Sequence, residues 1–183
     1  VSSTAVLLLP DGPLSLADTS MNVDPTSDEL VKITEASIDL VKRFGIEPKV
    51  ALLSHSNFGT ANNPSARKVR LAGKILRDTY PSLQVDGEMH VLSALNPKLR
   101  ETIYSKANIK GRANVLVMPN LDAANIAMGL IRSMTDALLI GPFINGFRKP
   151  AHIVIPSVTS RGIFNMTAVT VADIHSAGLA AEK

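Results

Sequence analysis

The chain has 183 residues, 45% of them hydrophobic and 4% aromatic, with a formal net charge of +3, no tryptophan and no cysteine. That apolar content is enough for one sizeable domain or two small lobes built on Ala, Val, Ile and Leu, as in layered α/β proteins. The absence of cysteine excludes disulfides, thiolate metal sites and a cysteine nucleophile, and fits a reducing cytoplasm. The scattered basic residues lack interleaved aromatics, which argues against nucleic acid, and no apolar run approaches the roughly 20 residues of a membrane span.

Residues 5–9 and 14–17 flank Pro10-Asp11-Gly12-Pro13, which predicts a hairpin or two short edge strands. An abrupt opening in a strand is expected of a piece of a longer protein. Thr26 and Glu29 have capping-box spacing, and Leu30, Ile33, Leu40, Val41 and Phe44 recur at helical intervals before Gly45. Residues 49–53 read as a strand ending in the polar loop Ser54-His55-Ser56-Asn57-Phe58-Gly59. Asn63 and Pro64 then open a helix whose apolar face carries Val69, Ala72, Ile75 and Leu76.

Residues 83–85 predict the next strand, followed by Asp86-Gly87-Glu88-Met89-His90 and a short helix over 97–105. Residues 114–118 form another apolar strand, and Asp122 begins a helix through Ala127, Leu130 and Met134. A strand at 137–140, a Gly-Pro-rich loop over 141–150, a strand at 152–155 and a helix over 161–180 complete the pattern. This alternation predicts a layered α/β/α fold with a mostly parallel sheet and right-handed crossovers. Ligands belong at the carboxyl ends of its strands, which brings the loops starting at Ser54, Asp86, Pro119 and Gly141 into one expected cleft.

Within those loops, Ser54, Ser56 and Asn57 offer hydroxyls, an amide and a helix N-terminus to an anion, although an ordinary capped connection accounts for them equally well. Asp86, Glu88 and His90 alternate and are expected to share one side of a strand end, as acid, base or ligand, or simply on a solvent face. Three such groups without a completing partner predict no bound metal. Asn145-Gly146-Phe147-Arg148-Lys149-Pro150 combines a permissive glycine with adjacent charge, which suits phosphate recognition or a solvated basic turn.

The strings LADTSMNVDPT, GIEPKVALLSHSNFG, VDGEMH, ANVLVMPNLDAANIAMGLI, IGPFINGFRKPAHI and SRGIFNMTAV resemble, in order, the phosphate acetyltransferase and butyryltransferase superfamily. LADTSMNVDPT and GFRKPAHI look like the branch formed by the C-terminal domain of large bacterial malic enzymes. The resemblance implies an isocitrate/isopropylmalate dehydrogenase-like second lobe over residues 1–150. It assigns 151–183 to a C-terminal strand and helix that belong to or pack on the first lobe.

Active members carry a Ser-Arg pair and an Asp shortly after the Lys-Pro dipeptide. Counted without a gap from Pro150, these positions fall on Ile155, Pro156 and Gly162; aligning on Ser160-Arg161 instead places the acid on Thr167. The resemblance therefore implies a catalytically inactive regulatory domain that binds acetyl-CoA as an allosteric inhibitor of an attached NADP-dependent malic enzyme, which oxidatively decarboxylates malate to pyruvate. It implies acyl-CoA contacts from Ser54, Ser56, Asn57, Asn145, Phe147, Lys149, Ile155, Ser157 and Arg161. NADP and a divalent metal are expected only in the catalytic portion, and a homodimer or higher oligomer is expected in the cytoplasm. The alternatives are an active phosphate acyltransferase, with a coupled assay to tell them apart, and a structural dimerisation domain packed through the helix from Asp122.

Overall fold

The computed structural model describes residues 1–154 and 158–181. Its elements are β1 (Ser2–Leu9), β2 (Gly12–Ala17), α1 (Ser27–Arg43), β3 (Lys49–Leu53), α2 (Pro64–Thr79), β4 (Gln84–Met89), α3 (Val91–Leu95), α4 (Pro97–Ile103), β5 (Val115–Val117), α5 (Leu121–Met134), β6 (Leu138–Asn145) and α6 (Ser160–Ala181). The six strands form one sheet in the order β4-β3-β5-β2-β1-β6. Five strands run in one direction, and β1 opposes its neighbours β2 and β6. The fold is α/β with a mixed sheet, and its N-terminal hairpin lies inside the sheet rather than at its edge.

Local chemistry explains the helix starts. Thr26 and Glu29 form the reciprocal capping box of α1, and Asn63 caps α2 with Pro64 in its first turn. The apolar faces of α1 and α2 pack through Leu30, Ile33, Val69 and Leu76 onto one side of the sheet. On the other side, α3 and α5 meet Leu7, Leu16, Leu53 and Met89. A third cluster joins α1 and α6 to β1 and β6 through Leu40, Val6, Phe143 and Met166.

Two strand expectations change. Gly141-Pro142 does not end the strand at Ile140: β6 continues to Asn145, and the register against β1 shifts between Thr4 and Val6 to absorb the dipeptide. A proline is tolerated there because β6 is an edge strand with no ladder beyond it. The strand expected from His152 does not form; residues 151–154 are irregular, and Ile155 lies outside the described residues. His152 instead turns inward, its ring edge-on to Phe143.

Candidate ligand-binding cleft

The carboxyl ends of β2 to β6 share one rim, but they do not converge on one point. The loop after β3 and the loop after β6 are separated by β5, β2 and β1, a span of roughly 19 Å at ordinary strand spacing. The expected site residues therefore fall into two groups.

At the β3 end, the loop is committed inward. Ser56 is fully buried and its hydroxyl donates to Glu88 Oε1 at 2.7 Å while accepting from the Ala61 N–H. Asn57 Oδ1 accepts from the His90 N–H at 2.8 Å and from the Ser93 hydroxyl. Ser54 Oγ accepts from the Ser56 N–H, and Phe58 N–H and Gly59 N–H donate to the Glu88 carbonyl and carboxylate. Phe58 holds φ at 46°, a conformation bulky residues rarely adopt, fixed by that backbone bond and by stacking on Tyr104 at 4.2 Å. The backbone donors that an anion would use here are mostly occupied already.

Asp86 and Glu88 do not share a side, nor do they face solvent. A bulge opposite Leu52 and Leu53 inserts Glu88 as an extra residue, so the strand's alternation resets at Gly87. Gly87 has φ of 142°, and a Cβ there would lie 2.6 Å from the Leu52 carbonyl oxygen, so only glycine fits. Asp86 accepts from the Asn108 and Ile109 N–H groups and lies 3.9 Å from Arg77. Glu88 pairs with Arg70 on α2 at 2.8 Å. Burial pushes the Asp86 carboxyl up, against the pull of those N–H groups and of Arg77 and Arg100. Burial also pushes Glu88 up, but Arg70, Ser56 and Gly59 together overcome it and hold its pKa below the ordinary range. His90 is exposed, its ring bonded to the His55 carbonyl, and no group of three or more acidic or imidazole side chains suited to a metal exists among the described residues.

Sequence reasoning did not single out the arginines that neutralise these acids. Arg70 and Arg77, seven residues apart on α2, both face β4, a spacing that could have marked them. Arg100 is buried and donates to the carbonyls of Ser93, Ala94, Ile109 and Gly111. Asp18, also missed, closes the loop after β2 by accepting from Ser3, Ser20, Met21 and Asn22.

The β6 end is different. Asn145 is buried and donates to Thr4 Oγ1, whereas Phe147, Lys149 and Arg161 are exposed. Phe147, Arg148 and Lys149 line an open depression. Next to it a cleft of about 460 Å3 wraps the free edge of β6, between α5 from one face of the sheet and α6 from the other. Gly162 lines this cleft beside Asn165 and Met166. Among its described lining residues there is no Asp, Glu, His, Lys or Tyr. Thr167, the alternative acid position, is exposed and its hydroxyl donates back to the Ile163 carbonyl. The Ile155, Pro156 and Ser157 positions lie outside the described residues.

The wall formed by α6 is held by one polar node and a thin apolar seam. Asp173 accepts from Arg43 at 2.5 Å and from His152 Nε2 at 2.9 Å, while His152 Nδ1 accepts from the Ile144 N–H. Met166 is buried, but Phe164 remains 72% exposed.

The fold is a mixed six-stranded α/β sheet with a cleft along its edge strand β6 whose described lining residues include no carboxylate or imidazole. The sequence profile described as phosphate acetyl/butaryl transferase matches residues 1–171, and the chain belongs to that family. It is 44% identical over 172 residues to an NAD-dependent malic enzyme of Rhizobium meliloti, covering 94% of this chain and 22% of that protein. It is also 44% identical over 171 residues to an NADP-dependent malic enzyme of Escherichia coli, covering 93% of this chain and 22% of that protein. Among solved structures, a phosphotransacetylase from Streptococcus pyogenes superposes with a TM-score of 0.90 at 28% identity, over 96% of this chain and 54% of that one. The chain thus spans about a fifth of the malic enzymes it matches. No helix among the described residues is long and apolar enough to cross a membrane.

Proposed function

We propose that this chain is a catalytically silent acyl-CoA sensor, the regulatory domain of a malic enzyme whose catalytic domain lies on the same polypeptide. The observation that carries the reading is the cleft beside Gly162: its described lining residues give it apolar walls, amides and a guanidinium, but no carboxylate or imidazole to accept a proton. Acyl transfer from acyl phosphate to coenzyme A needs a group to take the thiol proton, the reverse transfer needs the same group to return it, and one such group is typically worth about 10²- to 10⁴-fold in rate. Binding rests on contacts spread over the whole ligand and survives the loss of the reacting groups. Residues 1–150 act as the second lobe, with 151–183 packing at the junction to the first.

In this reading Phe147, Lys149 and Arg161 meet the coenzyme directly, together with Ile155 and Ser157. Ser54, Ser56, Asn57 and Asn145 shape the rim. Acetyl-CoA acts as an inhibitor through a coupling free energy with the catalytic domain, which supplies the nicotinamide and divalent-metal sites. The malic-enzyme relatives support this placement, and they name both NAD and NADP.

A coupled assay for acetyl-CoA formation from acetyl phosphate and coenzyme A tests the silence. No turnover is expected, and rates of about 1 to 10³ per second would establish a working acyltransferase instead. Acetyl-CoA, but not acetate, should raise the melting temperature. A dimerisation role is favoured by one further observation: Ile126, Leu130 and Met134 form an exposed apolar stripe on α5. The two roles are compatible.

A further inference from the structure

The cleft around β6 carries charge at one place only. Arg132 is the sole ionisable side chain among its described lining residues, and no carboxylate among the described residues pairs with it. Every other basic side chain that bonds within α2, α4 or α1 has an acid or carbonyl to satisfy it, as Arg70, Arg100 and Arg43 do. Arg132 follows Asn125 by seven residues and Met128 by four on α5, so the three share one face, and that face lines the cleft.

Geometry sets the form of a ligand. Asn125 donates to the Thr19 carbonyl, which ties that end of α5 to the rim at the carboxyl end of β2. Seven residues of helix then carry the chain about 10 Å along the cleft to Arg132, near Leu138 at the start of β6. Between these ends the walls include Ile140, Pro142, Val158 and Met166, with Thr159 and Asn165 as polar side chains on the α6 side. An unpaired guanidinium at one end of a largely apolar slot suits a ligand with an anionic terminus on an apolar stretch.

We infer that the cleft binds an amphipathic anion and that Arg132 is its specificity residue, reading the anionic group while the apolar stretch lies along Ile140 and Met166. The inference rests on the acyl-CoA reading and narrows it. The anionic group is either a carboxylate ending the acyl chain or a phosphate of the coenzyme, and both would use the same fork of N–H donors.

Calorimetric titration of the wild type and Arg132→Gln with butyryl-CoA, succinyl-CoA and decanoate separates the cases. The first two differ at the acyl terminus, methyl against carboxylate. Loss of a charge-assisted contact is expected to weaken succinyl-CoA by about tenfold. If butyryl-CoA keeps its affinity for the variant, Arg132 reads an acyl carboxylate; if both thioesters weaken alike, it reads a phosphate. Thioesters that bind the variant as tightly as the wild type overturn the role of Arg132 and leave the acyl-CoA reading standing. If the wild type binds decanoate and no thioester, with binding lost in the variant, the acyl-CoA reading falls and the amphipathic-anion site remains. A wild type that binds none of the three overturns both. Arg132 is exposed, so the variant should melt with the wild type, which a thermal scan confirms.

Discussion

The two ends of the sheet solve opposite problems. At β3 and β4, buried acids, arginines and backbone N–H groups satisfy one another so fully that little is left for a visitor: Glu88 alone takes bonds from Ser56, Gly59 and Arg70. At β6 Arg132, Lys149 and Arg161 pair with no carboxylate among the described residues, and the slot between α5 and α6 is largely apolar. The first end is built as scaffold and the second is where the proposed binding site lies, although both present polar, loop-rich sequences of similar appearance.

The sharpest way to break this contrast is at Glu88. Glu88→Ala leaves Arg70 and the Ser54–Gly59 loop without their common acceptor and should cost about 3 to 5 kcal/mol in urea unfolding, as for the removal of one partner of a buried pair. Arg100→Met should cost about 2 kcal/mol, because it takes the guanidinium donor from the buried carbonyls of Ser93 and Ile109. Neither change should alter ligand specificity if the β3 end is scaffold. Replacing both Lys149 and Arg161 with Ala should do the reverse, weakening acetyl-CoA several-fold in calorimetry at unchanged stability, since both side chains are exposed.

Acid offers a finer test, because the two buried carboxyls respond with opposite sign. The depressed pKa of Glu88 contributes stability that is present above the ordinary glutamate range and is lost as pH falls through its folded value. The raised pKa of Asp86 contributes stability that is full below the ordinary aspartate range and declines as pH climbs through its folded value. Glu88→Gln should therefore flatten the acid limb of a stability–pH profile, and Asp86→Asn should remove the opposing loss on its rising side. The smallest effect is expected from Asp173→Asn. Its partner Arg43 is substantially exposed, so global stability should change by less than about 1 kcal/mol, while hydrogen exchange across α6 rises and the sheet stays protected.

Much of the scaffold was legible from local signals. Thr26 with Glu29 and Asn63 with Pro64 announce their helices because capping is settled within four residues. The order of the strands was not, since β1 pairs with β6 across nearly the whole chain. The same distance hid the continuity of β6: Gly141-Pro142 looks like a stop until the slip at Thr4 on the neighbouring strand is known. The burial of Asp86 and Glu88 was missed because their neutralising arginines come from α2 and α4, and their opposite facing depends on one inserted residue. At the cleft, the family pattern led to Gly162, whereas Arg132 lies on a helix whose sequence gives no hint of which face is lined by what.

The inward place of the N-terminal hairpin bears on how the molecule is made. β2 needs β5 beside it, and β1 needs β6, pairing Ser2 with Asn145. During synthesis β1 and β2 therefore wait with unpaired outer edges until β5, at Val115–Val117, and β6, at Leu138–Asn145, have followed. Such long-range closure slows folding and leaves an adhesive ribbon open to other nascent chains in the interval.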